Sequence, residues 1–215
     1  FYFSPADWNT PTGMLKRYSN GRALPELQPL LGSVPQYAIW DDHDFGPNNS
    51  DRGNVMREAA LDVFKMFWAN PGYGVAGQTG ITTSFVWEDV QFFLLDNRFF
   101  RSPNHRKTGE RTQLGKHQVQ WLIDALVTSG ARYKVVVMGG QFVTELKTHE
   151  TYSHYHPEER REILGMLAAE KIEGVIFLSG DRHYSEVSRL ERKGHYPLYD
   201  FTVSPLTSGA YTNAG

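Results

Sequence analysis

Cysteine is entirely absent from the 215-residue sequence. Its absence excludes thiolate metal ligands, disulfide bonds and a cysteine nucleophile, and leaves histidine and carboxylate side chains as the strong metal ligands. Because cysteine usage is the feature that reports a redox compartment, the sequence leaves that compartment open. Any metal chemistry must therefore rest on the eight histidines and the 24 acidic residues.

Basic blocks and long apolar runs are also missing. The formal net charge is −2, and no Arg-rich stretch is present, so the sequence does not favour nucleic-acid binding or a nuclease. No apolar run approaches the ~18 residues of a membrane span, and no signal-peptide pattern opens the sequence. Small-molecule chemistry is the class that remains. Nothing in the sequence decides the oligomeric state.

Neither end of the sequence has the features expected of a chain terminus. The chain begins with Phe1-Tyr2-Phe3 rather than methionine, and its last residues contain no signal that ends an element. The length and the 40% hydrophobic content suffice for one core. We therefore expect one domain over residues 1–215, as a fragment of a longer chain.

Apolar periodicity predicts an α/β protein. Alternating or continuous apolar runs predict strands at residues 37–40, 81–87, 90–95, 133–138, 175–178, 185–190 and 198–203. Helical spacing predicts helices at 24–31, 54–70, 114–126 and 157–171. Residues 1–36 are otherwise expected to be irregular, because five prolines interrupt them. This order of elements indicates α/β layering with mixed sheets.

Two predicted strands end in clusters of polar residues. Asp41-Asp42-His43-Asp44 follows residues 37–40, and Gly180-Asp181-Arg182-His183 comes soon after residues 175–178. In open α/β sheets, ligands bind at the carboxyl ends of strands. An extended backbone would place Asp181 and His183 on one face, where both could bind metal ions. The alternatives are an acidic surface turn at the first cluster and, at the second, a turn-capping aspartate with a histidine satisfied in the core.

Taken in order, several motifs resemble those of the alkaline phosphatase D family of metallophosphoesterases. They extend over nearly the whole chain, from Ala6-Asp7-Trp8-Asn9-Thr10 to Ser204-Pro205-Leu206-Thr207-Ser208-Gly209, and include Trp40-Asp41-Asp42-His43-Asp44-Phe45-Gly46, Leu95-Asp96-Asn97-Arg98-Phe99-Phe100-Arg101 and Leu178-Ser179-Gly180-Asp181-Arg182-His183. The resemblance implies a four-layer α/β/β/α sandwich with mixed sheets, here incomplete at both ends.

The same resemblance implies a metal-dependent hydrolase of phosphomonoesters or phosphodiesters. It implies two or more metal ions, calcium and iron, and a small-molecule phosphoester substrate. Asp42, Asp181 and His183 take the positions of metal ligands, and His43 takes that of the histidine that stabilises the transition state or protonates the leaving group. Asp41 and Asp44 are expected to orient these residues. Family members are periplasmic or secreted, although this segment contains no targeting signal.

Three further residues are candidates for substrate contacts. Arg98 and Arg101 follow a predicted strand, and they either bind phosphate in a bidentate manner or form salt bridges to Asp96 or Glu110. Gln141 lies where many superfamily members have a metal-binding histidine, so it can offer only a neutral oxygen. His149, His154 and His156 form a loop cluster that is either a metal or substrate-rim patch, or an exposed polar loop.

The superfamily's first motifs, which supply the carboxylate that bridges two metal ions, have no counterpart in this sequence. We therefore expect little or no hydrolase activity from the isolated chain, in contrast to its parent protein. The alternative from another class of protein is a non-catalytic α/β scaffold whose acidic loops bind a single structural calcium ion. Metal content distinguishes the two.

Overall fold

The computed structural model describes residues 3–205 and 208–211. Leu206 and Thr207 of the last motif lie outside the described residues. Helices are α1 (Pro5–Trp8), α2 (Pro11–Arg22), α3 (Gln28–Ser33), α4 (Asp42–Phe45), α5 (Arg57–Phe67), α6 (Lys116–Thr128), α7 (Tyr152–Tyr155) and α8 (Pro157–Ala169), with a 3-10 turn at Pro25–Leu27. Strands are β1 (Thr83–Trp87), β2 (Val90–Leu94), β3 (Tyr133–Val137), β4 (Val175–Ser179), β5 (Glu186–Arg192) and β6 (His195–Thr202).

The six strands form one mixed sheet in the order β1-β2-β3-β4-β6-β5. The four central strands are parallel to one another, while β1 and β5 pair antiparallel to β2 and β6 at the two edges. Strands β1 and β2 form one hairpin, and β5 and β6 form another. The predicted α/β class is confirmed, and the described part of the chain contributes a single sheet to it.

Two apolar cores lie beside the sheet. In the larger one, Phe93, Val136 and Phe177 point from the central strands toward the buried stripes of α6 and α8. The smaller one joins α2 and α5 to the segment around Trp40. In the described part of the chain, no helix is both long enough and apolar enough to cross a membrane.

The expectation of an irregular first segment is wrong for α2. Its prolines start helices instead of interrupting them: Pro5, Pro11, Pro25 and Pro29 each occupy the first turn of a helix or 3-10 turn. A missing backbone N–H costs nothing there, because first-turn N–H groups have no intrahelical acceptor. The Thr10 side chain completes the start of α2 by accepting a hydrogen bond from the Gly13 N–H at 3.0 Å.

The predicted strand at residues 37–40 is also wrong. These residues are extended but pair with no strand among the described residues. The Asn70 side chain takes the place of a strand: its Oδ1 accepts from the Ala38 N–H at 3.0 Å, and its Nδ2 donates to the Ala38 carbonyl at 2.7 Å. Trp40 is buried at the end of the segment, where its indole N–H donates to the Asp96 carboxylate at 2.7 Å.

Candidate functional site

The carboxyl ends of the parallel strands meet along one edge of the sheet. Residues 96–98 follow β2, residues 139–141 follow β3 and residues 180–183 follow β4. The short helix α4 lies against the same edge. An open cleft of about 270 Å³ is present here, and its lining includes Asp41, Asp44, Gly139, Gly180 and Asp181. The structure therefore brings the two polar clusters of the sequence together.

Asp41 joins helix α4 to the end of β2. Its Oδ1 accepts hydrogen bonds from Asn97 Nδ2 at 2.8 Å and from Arg98 Nε at 2.6 Å, and Arg98 Nη2 forms an ion pair with it. Gly139 makes this approach possible, because a Cβ there would lie 2.1 Å from the Asn97 amide nitrogen and 2.9 Å from Asp41 Oδ1. Asp41 is held in place as the residue that precedes Asp42 and His43.

Glu150 is the second carboxylate bound to Arg98. It is buried, and its two oxygens contact different guanidinium groups: Oε2 accepts from Arg98 Nη2, and Oε1 lies 3.2 Å from Arg101 Nη2. Asn104 Nδ2 also donates to Oε1 at 3.4 Å. The loop before α7 is thereby tied to the chain that leaves β2.

Asp42 and His43 lie in the single helical turn of α4. Asp42 is buried, and its carboxylate accepts from the His43 N–H at 2.7 Å and the Asn49 N–H at 2.8 Å. Burial alone would raise the pKa of Asp42, but the Arg98 charge and the Asn49 hydrogen bond outweigh it, and the net pKa is lowered. Asp42 is therefore charged at neutral pH, as a metal ligand must be.

His43 and Asp44 complete the turn. The His43 ring is half-buried and lies 6.5 Å from the Phe3 ring, centroid to centroid. The Asp44 carboxylate accepts from the Asp41 N–H at 3.2 Å, so it fixes the start of the turn. Burial raises the pKa of Asp44 to about 6.

Asp181 follows β4 in a left-handed conformation, with φ 69°, so the chain here is not extended as predicted. Burial raises the pKa of Asp181 well above its usual range, and the nearby charges of Asp41, Glu150 and Asp42 raise it further. No described residue donates a hydrogen bond to its carboxylate. A carboxylate without donors and surrounded by like charges is the environment that a bound cation stabilises.

His183 is also left-handed, with φ 56°, but its ring turns toward the last described residues. Nδ1 lies 2.8 Å from the Gly209 carbonyl and 3.0 Å from Ser208 Oγ, and the ring stacks on Tyr211 at 5.0 Å. A carbonyl partner assigns the proton to Nδ1, which leaves the lone pair on Nε2, 3.4 Å from Ser208 Oγ.

Within residues 3–205 and 208–211, no three histidine or carboxylate side chains have the spacing of a metal site. The structure brings Asp42 and Asp181 into the same electrostatic environment, together with Asp41, whereas His183 faces Ser208 and Gly209 instead. Carboxylate oxygens of this kind fit a hard cation such as calcium. The donor set is therefore suited to a metal ion without forming a complete coordination shell.

The remaining candidates are buried and paired. Arg98 and Arg101 have no solvent-exposed surface, and their contacts are the salt bridges of the alternative interpretation, with Asp41 and Glu150 as partners rather than Asp96 or Glu110. Their placement gives no support to direct phosphate binding. Gln141 is also fully buried: its Nε2 donates to Glu186 at 2.9 Å and Thr202 at 2.8 Å, and its Oε1 has no partner among the described residues.

Two buried residues support the site, although the sequence had assigned neither of them a role in it. Asp96 accepts four N–H groups, from Trp40, Ile81, Arg98 and Phe99. Gln118 on α6 donates to the Asp96 carbonyl at 2.9 Å and accepts from its N–H at 2.8 Å. The one available signal was a polar residue on the apolar face of a predicted helix, which fits Gln118.

Comparisons with known proteins bear on the family and the fold. A family model described as PhoD-like phosphatase matches residues 13–214. Alkaline phosphatase D of Bacillus subtilis (strain 168) is 22% identical over 232 residues, which cover 90% of this chain and 39% of that protein. A solved structure described as "Structure of PhoD" matches with a TM-score of 0.75 and 22% identity, over 91% of this chain and 45% of that chain. The chain thus spans less than half the length of these relatives.

Proposed function

The chain belongs to the PhoD-like phosphatase family, and on this premise we propose that the protein hydrolyses phosphomonoesters or phosphodiesters with a metal-activated water. The observation that supports this most is the placement of Asp181. Its carboxylate lies in the open cleft beside Asp41 and Asp42, without a hydrogen-bond donor from the described residues. The substrate in this proposal is a small-molecule phosphoester.

In this proposal Asp42, Asp181 and His183 hold two or more metal ions, with calcium and iron as the candidates. Bound cations would supply charge neutralisation for the phosphate and an acidified water as nucleophile. The carboxylates suit calcium, and a neutral imidazole nitrogen such as His183 Nε2 suits iron. His183 would have to turn away from Ser208 and Gly209 to bind an ion together with Asp181.

The chain's own residues have distinct tasks in the proposal. His43, on the exposed side of the α4 turn, donates a hydrogen bond to the phosphoryl oxygens or a proton to the leaving group. Arg98 does not contact the substrate. It holds Asp41, and so fixes the turn that presents Asp42 and His43. Arg101 and Gln141 support the walls of the site in the same indirect way.

The test combines metal content with turnover. The 215-residue chain and a longer chain that also covers the relatives' additional length are loaded with calcium and iron, and hydrolysis of p-nitrophenyl phosphate and bis(p-nitrophenyl) phosphate is measured. In the longer chain we expect Asp181→Asn to lose metal and turnover together, and His43→Ala to lose turnover at least a hundredfold while metal is retained. Asp124→Asn, on the exposed side of α6, is the matched control and should change neither.

The shorter chain tests a separate prediction, that it has little or no activity alone. Full turnover from the 215 residues would contradict that prediction while supporting the proposed chemistry. Unchanged turnover in both Asp181→Asn and His43→Ala would overturn the proposed site.

The second candidate is a non-catalytic scaffold with one structural calcium ion. The observation that favours it is the orientation of His183, whose ring faces Ser208 and Gly209, so that the carboxylates meet at the cleft without its imidazole. One ion per longer chain and no hydrolysis of either substrate would establish the scaffold instead. A periplasmic or secreted location is part of the leading proposal and rests on family membership alone.

A further inference from the structure

Behind the Arg98–Glu150 ion pair lies a group of buried polar atoms that have no partner. Arg101, Gln113 and His156 are each at most 1% exposed. Arg101 Nη1, both polar atoms of the Gln113 side chain and both ring nitrogens of His156 make no hydrogen bond within the described part of the chain, and neither does Arg111 Nε. Buried polar groups of folded proteins nearly always have a partner, so this group requires a ligand or ordered water.

Arg101, Arg111 and His156 are neighbours in space, and Gln113 lies close to them along the chain. Asn104 joins the two arginines: its Oδ1 accepts from Arg101 Nη2 at 2.9 Å, and its carbonyl accepts from Arg111 Nη2 at 3.1 Å. Both arginines act electrostatically on His156, and the Arg111 carbonyl lies near its ring, though outside hydrogen-bond geometry. Gln113 is two residues beyond Arg111, and its N–H donates to Glu159 in the first turn of α8 at 2.6 Å.

The nearby carboxylates are already occupied. Glu150 accepts from Arg98, Arg101 and Asn104. Glu159 accepts from the N–H groups of residues 113–115 and from the Tyr152 hydroxyl. Arg111 forms no ion pair with any described residue. Arg101 and Arg111 are matched in number by Glu150 and Glu159, but neither carboxylate contacts the unpartnered atoms. The N-terminus of the 13-residue helix α8 adds partial positive charge beside them, because His156 is its N-cap.

We propose that Arg101, Arg111, Gln113 and His156 form a buried site for a small inorganic anion of the halide class. Unpaired N–H groups outnumber the acceptors of this cluster, which are Gln113 Oε1, one ring nitrogen of His156 and the Arg111 carbonyl. Water would add two further donors to a cluster whose donors already exceed its acceptors. An anion accepts hydrogen bonds from all of the donors. This site is separate from the metal and substrate residues of the cleft.

Bromide is the probe for this site. Crystals of the full 215-residue chain are grown with sodium bromide as the sole halide, and anomalous scattering is measured at the bromine edge. We expect a bromide peak within hydrogen-bonding distance of Arg101 Nη1 and the His156 ring. Ordered waters on these atoms, with bromide only on the surface or nowhere, would overturn the proposal.

A solution measurement tests the same site without crystals. The thermal unfolding midpoint is recorded in sodium bromide against sodium gluconate at equal ionic strength. At bromide concentrations well above the dissociation constant of the site, the unfolding midpoint should rise by about 3–5 °C for each tenfold increase in bromide concentration. Arg111→Gln should flatten this dependence, and the apolar variant Gln113→Leu should weaken it. Arg132→Gln, an exposed arginine before β3, is the control and should retain it. A flat wild-type response, or an undiminished one in Arg111→Gln, contradicts an anion site.

Discussion

Glu150 shows how one residue can hold a site together from outside the cleft. It is buried, it has a left-handed backbone with φ 61°, and its carboxylate separates two buried guanidinium groups. Removing a single charge from such an arrangement leaves the opposite charges buried and uncompensated. Loss of the Glu150 carboxylate would therefore destabilise the fold mainly by leaving the charges of Arg98 and Arg101 buried without it.

Replacement of Glu150 by glutamine should lower the free energy of unfolding by about 3 kcal/mol, because Arg98 then keeps Asp41 alone and the buried Arg101 loses its ion pair. Urea unfolding measures the change. Glu110→Gln is the control: Glu110 pairs with Lys116 at 3.2 Å, but both side chains are more than half exposed, so its loss should cost less than about 1 kcal/mol. Equal costs for the two variants would contradict the assignment.

His156 should make the protein sensitive to mild acid in halide-free buffer. Burial, with Arg101 and Arg111 adding to it, lowers the pKa of His156 to about 2. Below a pH of about 6.5 the unfolded chain binds a proton that the folded chain excludes. Stability is therefore complete above that pH and falls as the pH decreases toward 2, by up to about 1.4 kcal/mol per pH unit.

The measurement is the pH dependence of urea unfolding between pH 7 and pH 5 for the wild type and His156→Gln. We expect the variant to show a shallower slope, by about one proton. His105→Gln alters an exposed loop histidine and should leave the slope unchanged. A wild-type slope equal to that of His156→Gln would show that His156 is protonated in the folded chain.

At the scale of elements, apolar periodicity predicted most of the sheet and its helices correctly. Strands β2, β3 and β4 are short apolar runs bounded by turn residues, and α5, α6 and α8 show apolar stripes, so local pattern and tertiary burial agree there. Helix α2 was missed because its sequence, with Pro11 and Gly13 in the first turn, lacks a clear stripe. Residues 37–40 have the composition of a strand, but pairing depends on a partner that local sequence does not reveal.

The site was predictable in position but not in detail. Asp181 follows β4 and so lies at the carboxyl edge of the parallel strands, as the sequence predicted, whereas Asp42 reaches the same edge from a segment that is not a strand. The roles of both residues stay a prediction. The pairing of Arg98 with Asp41 and Glu150 joins residues 57 and 52 positions apart, and a single sequence contains no signal for such distant partners. The left-handed backbone at Asp181 and His183 could not be predicted from the sequence either, because neither residue is a glycine.

Substitution of Asn70 tests whether its side chain holds the unpaired segment 37–40 in place. Asn70→Ala should remove both hydrogen bonds to Ala38 and lower the free energy of unfolding by about 1–3 kcal/mol. It should also speed hydrogen exchange at the Ala38 amide selectively, as seen by mass spectrometry of the peptide that contains it. Asn20→Ala, on the exposed side of α2, should stay within about 0.5 kcal/mol of the wild type. Unchanged exchange at Ala38 would argue against this pairing.

On the scale of the whole molecule, one face of the sheet is incompletely covered among the described residues. Val187 on β5 is 60% exposed, Phe201 opposite it on β6 is 37% exposed, and Val203 is 72% exposed. Helices α6 and α8 lie on the other face, where Leu198 is buried. An apolar sheet face of this kind favours association.

The double substitution Val187→Thr and Phe201→Thr should therefore reduce self-association of the 215-residue chain. Light scattering over a concentration series is the measurement, and the apparent mass should rise less steeply with concentration than in the wild type. Val55→Thr changes a valine outside the sheet that is even more exposed, at 92%, and should have no effect. An unchanged concentration dependence in the double variant would place the association surface elsewhere.

The ion pairs of Arg98 also determine when the site appears during folding. They close loops of 57 and 52 residues, and they need β2, its neighbours and the loop before α7 to be in place already, so they form after the main barrier. Glu150→Gln should then leave the refolding rate nearly unchanged and accelerate unfolding about a hundredfold, as a chevron plot would show. The chain would reach its overall architecture first, and the cleft would take its final form in the last step.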